Sequence, residues 1–400
     1  MARNFELEKR FVTTEYKKHS MRGAGEIVGL FPDLLGVGGI QEASRQIVCA
    51  LQNILARRGQ CASYLGLNDA AGPQILRVEE HSVAFRGYKR SKFRFVARAL
   101  LLARQNPRLV IATHPNLAVP AQWMKIFSPA IKTVVVCHGI EVWERLPDRR
   151  RKALLAADLI LTPSTYTADK LSNLQGVTAE KIRVLPWPIN TEMLRMSDSP
   201  SKLPLPAEFP GSPVILTIGR WAASEGYKGA DELIRVIPQL LLSIPGLHLL
   251  LVGVGDDLPR LKEIAAELGV EESVRFLGRL SSQQLAACYA HADVFALPST
   301  GEGFGLVFLE AMAFGLPAIG AAAGGVRDIV KDGVNGLMVP GKDSTALTRA
   351  LEQLLRDRDL RLALGKRGAE IVREKYRFQA FERELQAILI ECGMDSTTAP

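Results

Sequence analysis

The 400-residue chain has no run of about 18 apolar residues, so no membrane-spanning helix is expected. Its five cysteines are scattered and form no C-x-x-C pair, which argues against a disulfide framework or a cysteine zinc site. They are typical of free thiols in a reducing cytoplasm. Residues 1–24 are charged and have no apolar signal-peptide core, so they are interpreted as an N-terminal tail.

Several motifs of catalysis are also missing. There is no G-x-x-x-x-G-K-[ST] phosphate loop, no G-x-S-x-G nucleophile motif, and no D-x-D metal motif where a strand would run into a loop. Gly253-Val254-Gly255 lacks the third glycine of a dinucleotide site, which disfavours a dinucleotide-dependent oxidoreductase. We therefore expect no bound metal and no cofactor.

The charge is unevenly distributed. The first 190 residues contain 28 Lys and Arg against 15 Asp and Glu, whereas the remainder contains 22 against 27. With 47% hydrophobic residues, the chain can fill two or three cores. A basic front half and a mildly acidic back half indicate two domains with different partners.

Short, continuous apolar runs alternate with helical patterns, which predicts α/β domains with parallel, doubly covered sheets. A proline-rich stretch, Pro186–Pro213, predicts a stiff linker between two such doubly wound domains. The strands predicted before it are Glu26–Phe31, Arg108–Thr113, Thr133–Cys137 and Leu159–Thr162. Those predicted after it are Val214–Gly219, His248–Gly253, Val274–Leu277, Val294–Leu297 and Pro317–Gly320.

The most informative stretch begins at Glu302 and ends at Ala313. Gly303 and Gly305 predict a loop, and an apolar helix is expected to begin near Leu306, with Glu310 about one turn inside it. The free N–H groups of the helix start favour an anion between the two carboxylates. This arrangement suits a sugar nucleotide, which has hydroxyls at both ends and phosphate in the middle.

Two cations are predicted at a neighbouring strand-to-helix loop. Gly219-Arg220-Trp221 follows a predicted strand, and Tyr227-Lys228-Gly229 opens the next helix. Arg220 and Lys228 can neutralise a departing nucleoside diphosphate, although solvated surface charges are the alternative interpretation. Asp256-Asp257, by contrast, is interpreted as the start of a helix.

These motifs together resemble the C-terminal half of the family 4 retaining glycosyltransferases of GT-B architecture. The resemblance spans roughly residues 214–375 and is carried, in order, by Gly219-Arg220, Lys228-Gly229, Gly253-Val254-Gly255, Glu302 to Pro317, Gly324-Gly325 and Asp332 to Gly336. A thinner resemblance in the first half rests on Gly38-Gly39-Ile40, His138-Gly139 and Pro163-Ser164.

The resemblance implies two Rossmann-like doubly wound parallel-sheet domains that face a central cleft. It implies an acceptor domain at 25–190, a linker at 191–213, a nucleotide-sugar domain at 214–377, and a C-terminal helix at 378–392 that packs back on the first domain.

The resemblance also implies roles for single residues. Glu310 would hold the ribose, and Arg220 and Lys228 would grip the diphosphate after Gly219. Glu302 would contact the transferred sugar, helped by backbone amides of Phe304, Gly305 and Leu306. Gly38 and Gly39 would approach the donor phosphate or the acceptor, and His138 the donor sugar. His114, at a predicted strand end, is a candidate for acceptor binding.

A basic stretch in the first half predicts a further surface. Arg86, Arg90, Arg94 and Arg98 recur every four residues, and no acid interrupts Phe85 to Arg104. A helix there would carry an arginine stripe suited to anionic lipid, or would be a solvated face. The basic stretch could instead bind nucleic acid, but no nucleic-acid-binding motif supports that interpretation.

The residues and the resemblance together predict a metal-independent hexosyltransferase that acts in the cytoplasm or peripherally on the inner membrane face, and the resemblance implies that it retains the anomeric configuration. Its donor would be GDP-mannose, UDP-glucose or UDP-N-acetylglucosamine, and its acceptor a glycan or a lipid-linked molecule of polysaccharide or glycolipid assembly. An inactive GT-B binding scaffold is the alternative, and the intact set of Arg220, Lys228, Glu302 and Glu310 argues against it.

Overall fold

A computed structural model describes residues 26–200, 203, 209, 211 and 213–394. The chain divides into two compact units. Among the described residues, the first unit comprises 26–187 together with 379–394, and the second lies within Pro188–Phe378. The predicted tail at 1–24 and much of the predicted linker at 191–213 lie outside the described residues.

The first unit contains a mixed sheet whose described strands follow the order β3-β4-β2-β1-β5-β6-β7-β8. β3 and β4 form an antiparallel hairpin, and the other described pairings are parallel. The strands are β1 (Ile27–Phe31), β2 (Ala62–Gly66), β3 (Gly72–Val78), β4 (His81–Gly87), β5 (Leu109–Ala112), β6 (Lys132–Val136), β7 (Leu159–Thr162) and β8 (Ile182–Val184).

Helices connect these strands along the chain. They are α1 (Gly39–Ala56), α2 (Lys92–Ala103), α3 (Ala118–Phe127), α4 (Asp148–Leu155) and α5 (Thr165–Lys170). α2 and α3 pack against each other, and α3 packs against α4. Their inner faces meet the sheet in one apolar core that includes Phe95, Met124 and Leu154. The amphipathic patterns of α1, α2 and α3 explain why these three segments are helical.

The second unit contains a parallel sheet in the order β11-β10-β9-β12-β13-β14 among its described strands. The strands are β9 (Val214–Ile218), β10 (His248–Val252), β11 (Val274–Gly278), β12 (Val294–Leu297), β13 (Ala318–Ala321) and β14 (Gly336–Val339). The helices are α6 (Thr191–Ser197), α7 (Ala230–Ser243), α8 (Leu258–Glu267), α9 (Ser282–His291), α10 (Leu306–Ala313), α11 (Val326–Ile329), α12 (Ser344–Arg356) and α13 (Arg358–Lys375). β9 and β12 lie side by side at the centre, so their carboxyl ends share one edge.

The nine predicted strands are confirmed to within a residue or two at their ends. β2, β3, β4, β8 and β14 are strands that the sequence analysis did not predict. Most of them are polar or half-exposed at several positions, so they lack the continuous apolar run of a doubly covered strand. The start of the predicted linker is helical, because Asn190 accepts from the N–H groups of Glu192 and Met193 and so caps α6.

The prediction of one arginine-striped helix from Phe85 onward is wrong. Arg86 lies in β4, and Arg90 lies in a turn, where Lys89 and Arg90 have φ values of 44° and 65°. The N–H of Lys89 donates to the carbonyl of Asp69, and that of Arg90 to the carbonyl of Leu67. These two bonds end β4 before α2 begins, so only Arg94 and Arg98 lie on the helix.

The C-terminal helix α14 (Phe378–Glu391) lies mostly in the first unit, where it contacts α1. Glu382 is 6% exposed, and its carboxylate accepts from Asn53 Nδ2 and from Arg57, both at 2.6 Å. Phe381 meets Trp187 edge-on with 6.0 Å between ring centroids. A buried carboxylate therefore joins the last helix to the first one.

Replacing Glu382 with Ala should destabilise the first unit by about 1–3 kcal/mol, because Asn53 loses its acceptor in a partly buried site. Thermal unfolding should show a lower midpoint for this variant. Glu384→Ala, at an exposed position of the same helix, is the control and should melt like the wild type. Equal midpoints for the two variants would contradict the assignment.

Candidate active site

Trp221 fixes the loop that follows β9. Its side chain is buried, its Nε1 donates to the carbonyl of Val252 at 3.1 Å, and its backbone N–H donates to the carbonyl of Val254 at 3.0 Å. Gly253 has φ 127°, and a Cβ there would lie 1.8 Å from the carbonyl oxygen of Gly219. Only glycine therefore allows the β9 and β10 loops to approach so closely. This packing holds Arg220 at the surface, where its side chain is 73% exposed.

Lys228 ends the short 3₁₀ helix Ala223–Lys228, just before α7. Gly229 follows with φ 73° and is the N-cap of α7. The side chain of Lys228 is mostly buried, and its Nζ lies 3.3 Å from Glu302 Oε2. The prediction that Lys228-Gly229 opens a helix is confirmed, as is the helix start after Asp256-Asp257.

Glu225 is a site residue that the sequence analysis missed. It is 8% exposed, its Oε1 pairs with the guanidinium of Arg220, and its Oε2 lies 3.9 Å from Lys228 Nζ. The spacing could have identified it, because a carboxylate three residues before Lys228 and five after Arg220 can reach both cations. Arg220, Lys228, Glu225 and Glu302 thus form one network of two cations and two carboxylates.

Glu302 stands in the loop between β12 and α10, as predicted. The N–H of Gly325 donates to the carbonyl of Glu302 at 2.8 Å, and a Cβ on Gly325 would lie 2.1 Å from the carbonyl oxygen of Gly303. Gly305 has φ 104° and is the N-cap of α10, which begins at Leu306. Phe304 is buried under this turn. The turn leaves the first N–H groups of α10 without partners inside the helix, and these groups favour an anion.

Glu310 lies inside α10, as predicted, and has a partner that was not predicted. Tyr289 on α9 donates its hydroxyl hydrogen bond to Glu310 Oε2 at 2.8 Å. Tyr289 is fully buried, and burial together with the negative charge of Glu310 raises its pKa well above the ordinary value. The tyrosine thus stays protonated and orients the carboxylate. A single tyrosine in a helix carries no sequence signal of such a role.

In the first unit, His138 follows β6 and is buried. Its Nε2 lies 2.8 Å from the carbonyl oxygen of Thr113, an acceptor, so Nε2 carries the proton. Burial lowers the pKa of His138, although the nearby Glu141 opposes this shift. Nδ1 is then an unprotonated acceptor, and it has no hydrogen-bond partner among the described residues. A neutral histidine with a free acceptor nitrogen can receive a hydrogen bond from a hydroxyl.

His114 is placed differently from His138. It follows β5, and its Nδ1 accepts from the N–H of Asn116 at 3.1 Å, which caps a 3₁₀ turn. Burial lowers the pKa of His114, so the imidazole is neutral near pH 7. Its predicted part in acceptor binding stays a prediction.

The glycine loop after β1 is held in place by two side chains. Asp69 is buried, and its carboxylate accepts from the N–H groups of Leu34 and Leu35, both at 3.0 Å. Burial raises its pKa above the ordinary value. Arg45 donates to the carbonyls of Leu34 and Gly36 at 3.2 and 2.9 Å. Gly38 and Gly39 then start α1, with Gly38 at φ 150°.

The sequence-predicted residues are therefore divided between the units. Arg220, Lys228 and Glu302 are in contact with one another through the ion network of the second unit, and Gly219, Phe304, Gly305, Leu306 and Glu310 build its loops. His138, His114, Gly38, Gly39 and the four arginines Arg86, Arg90, Arg94 and Arg98 belong to the first unit. Across residues 26–200 and 213–394, no group of three or more His, Cys, Asp and Glu side chains is arranged to hold a metal ion.

Two family profiles match the chain. The one described as Glycosyltransferase Family 4 matches residues 53–193, and the one described as Glycosyl transferases group 1 matches residues 205–371. Together they cover every sequence-predicted site residue except Gly38 and Gly39.

Named relatives agree with these profiles. One relative is the GDP-mannose-dependent alpha-(1-6)-phosphatidylinositol monomannoside mannosyltransferase of Mycobacterium tuberculosis, to which the chain is 31% identical over 273 residues. The aligned region covers 65% of this chain and 70% of that protein. The chain is also 35% identical over 225 residues to the D-inositol 3-phosphate glycosyltransferase of Nocardia farcinica. Here the aligned region covers 54% of this chain and 49% of that protein.

Among solved structures, sucrose-phosphate synthase from Thermosynechococcus elongatus has a TM-score of 0.74 at 23% identity, over 91% of this chain and 98% of that one. This likeness, together with the largely parallel sheets of the two units, shows the GT-B α/β fold. The chain belongs to the family 4 glycosyltransferases of GT-B architecture.

Proposed function

We propose that the protein moves a hexose from a nucleotide-diphosphate sugar to a hydroxyl of a glycan or lipid-linked acceptor, with retention at the anomeric carbon. The observation that carries this proposal is the ion network of the second unit. It brings Lys228 into contact with Glu302 and links Arg220 to Lys228 through Glu225, at the carboxyl ends of β9 and β12. Ligands of open α/β sheets bind at that edge.

Each part of this site suits one part of the donor. The two cations and the N-terminus of α10 would hold the diphosphate, because each offers N–H donors and positive charge. Glu310, oriented by Tyr289, would accept from the ribose hydroxyls. Glu302 would accept from hydroxyls of the transferred sugar. In the first unit, His138 would offer an uncharged acceptor nitrogen to a hydroxyl.

The proposed reaction needs no enzyme nucleophile. The bond from the anomeric carbon to the phosphate oxygen breaks, and its electron pair stays on the diphosphate. The acceptor oxygen bonds to the same face of that carbon, and its proton passes to the departing phosphate oxygen. Arg220, Lys228 and the helix start stabilise the growing phosphate charge, which lowers the barrier.

The names of the relatives suggest classes of donor and acceptor but do not specify one donor or one acceptor. GDP-mannose is named for the mycobacterial mannosyltransferase. UDP-glucose and UDP-N-acetylglucosamine are equally compatible with the residues of the diphosphate site. That mannosyltransferase acts on a phosphoinositide glycolipid by its name, which favours a lipid-linked acceptor for this chain and a role in glycolipid or polysaccharide assembly.

A lipid-linked acceptor would place the enzyme peripherally on the inner face of the membrane. None of the helices in the described parts of the chain is long and apolar enough to cross a bilayer. From His81 to Ile140 the chain has ten basic residues and no acidic one. Exposed apolar side chains lie within this stretch: Phe93 is 84% exposed on α2, and Phe127 is 61% exposed on α3. An anionic lipid surface fits both the charge and the exposed rings.

Lys228→Ala should lower kcat/KM by at least about 100-fold, because a donor aimed at the leaving phosphate is lost. The thermal unfolding midpoint should fall much less than turnover does, because Glu225 keeps its ion pair with Arg220 when Lys228 is removed. Turnover would be measured by release of nucleoside diphosphate from the donor that gives the largest thermal shift. Lys366→Ala, an exposed lysine of the same unit, is the control. Wild-type turnover in Lys228→Ala would remove the phosphate assignment.

Chelation tests the proposed metal independence. Turnover in excess EDTA should stay within about twofold of turnover in magnesium, because side-chain cations and the helix start neutralise the diphosphate. The measurement is the initial rate after exhaustive dialysis against EDTA. A large loss of rate that added magnesium restores would show that a divalent ion takes this part.

Membrane docking is tested with vesicles of phosphatidylglycerol and phosphatidylcholine at low salt. The wild type should sediment with anionic vesicles and be released as salt rises, because the attraction is screened. Phe93→Ser/Phe127→Ser should reduce binding by at least about 100-fold, since burial of each of the two aromatic rings contributes about 1.5–3 kcal/mol. Leu242→Ser is the matched control, because Leu242 is 87% exposed on the second unit. Docking is refuted if anionic vesicles leave the wild type in solution.

A further inference from the structure

Glu225 has an unusual position for a carboxylate in a site that would bind an anion. It lies in the loop between β9 and α7, is 8% exposed, and is paired with Arg220 and close to Lys228. A negative charge beside two phosphate-binding cations opposes phosphate binding. Burying that charge also costs free energy, which its two cationic neighbours offset. Folding alone gives no evident reason for a carboxylate here.

We propose that Glu225 is a positioning residue that tunes the diphosphate site. It holds Arg220 and Lys228 in place, and its charge weakens their attraction for the nucleoside diphosphate so that this product can leave. This inference rests on the proposed function above. Glu225 acts through the two cations and does not itself contact the donor.

The solvent exposures of Glu225 and Arg220 support these separate roles, in which Glu225 positions Arg220 and Arg220 binds the phosphate. Glu225 is fixed in the loop, where its own N–H donates to the carbonyl of Ala222 at 2.8 Å. Arg220 is 73% exposed although one of its nitrogens pairs with Glu225, so its other N–H groups face solvent. An incoming phosphate can bind those groups without breaking the pair. Glu225 therefore keeps its position whether or not the donor is bound.

Lys228 differs from Arg220 because it lies between two carboxylates. Its Nζ is 3.3 Å from Glu302 and 3.9 Å from Glu225. If Glu302 turns to the sugar hydroxyls when the donor binds, Glu225 remains as the counter-charge of Lys228. Glu225 therefore stays beside both cations when Glu302 has turned away. Without Glu225, their full charge would act on the donor and the product alike, which tightens binding without helping the chemical step.

The experiment compares Glu225→Gln with the wild type. Glutamine keeps the length of the side chain and can still accept from Arg220, but it removes the negative charge. The dissociation constants of GDP and UDP, measured by isothermal titration calorimetry, should fall about tenfold for the nucleotide that the wild type binds. Donor KM and kcat should both fall, because donor binds tighter and product leaves more slowly. Glu272→Gln, exposed at the other edge of the same sheet, removes the same charge and should change neither constant.

A purely structural role predicts the opposite sign. If Glu225 only supported the loop, Glu225→Gln would misalign the cations and weaken nucleotide binding. Weaker or unchanged binding by Glu225→Gln, with normal binding by the wild type, overturns the inference alone. If the wild type binds neither GDP nor UDP, the proposed function fails, and the inference fails with it.

A double variant tests whether the effect passes through Arg220. In an Arg220→Gln background, replacing Glu225 with Gln should tighten binding less than it does in the wild type, because one of the two cations is gone. The two residues are in contact, so their effects should not add. The same tightening in both backgrounds would show that Glu225 does not act through Arg220 and would overturn the positioning role.

Discussion

Charge balance in the loop after β9 is the constraint on which the proposed donor site depends. Two cations, Arg220 and Lys228, are close to two carboxylates, Glu225 and Glu302, within one network. The network has no net charge before a ligand arrives. A diphosphate would then meet cations that are already oriented, and orientation before binding is what lets such groups stabilise a transition state.

Glycines and one tryptophan make this arrangement possible. Gly253 and Gly325 allow loops to pack where any Cβ would collide with a backbone oxygen. Trp221 is buried between the β9 and β10 loops, so its neighbour Arg220 is directed to the surface. Gly305 turns the chain into α10, which brings Glu302 before the helix and Glu310 within it. The charged side chains of the candidate site are few, and the packing of the loops around them sets their positions.

The sequence analysis predicted the parts of this molecule that local pattern controls. Continuous apolar runs predicted nine buried strands, and glycine spacing predicted the start of α10. It could not predict partners that meet only in the folded chain, such as Tyr289 with Glu310 or Asp69 with Leu34. The arginine period was misleading, because a four-residue spacing says nothing of where a strand ends. Two hydrogen bonds from Lys89 and Arg90 to the loop after β2 decide that point.

The most direct test of the central claim is a crystal structure of the protein with GDP or UDP, whichever raises its melting temperature more, grown with magnesium present. The account predicts that the phosphates contact Arg220, Lys228 and the first N–H groups of α10, with the ribose at Glu310. A nucleotide bound away from these residues, or a magnesium ion bridging its phosphates in place of the side-chain cations, would contradict it.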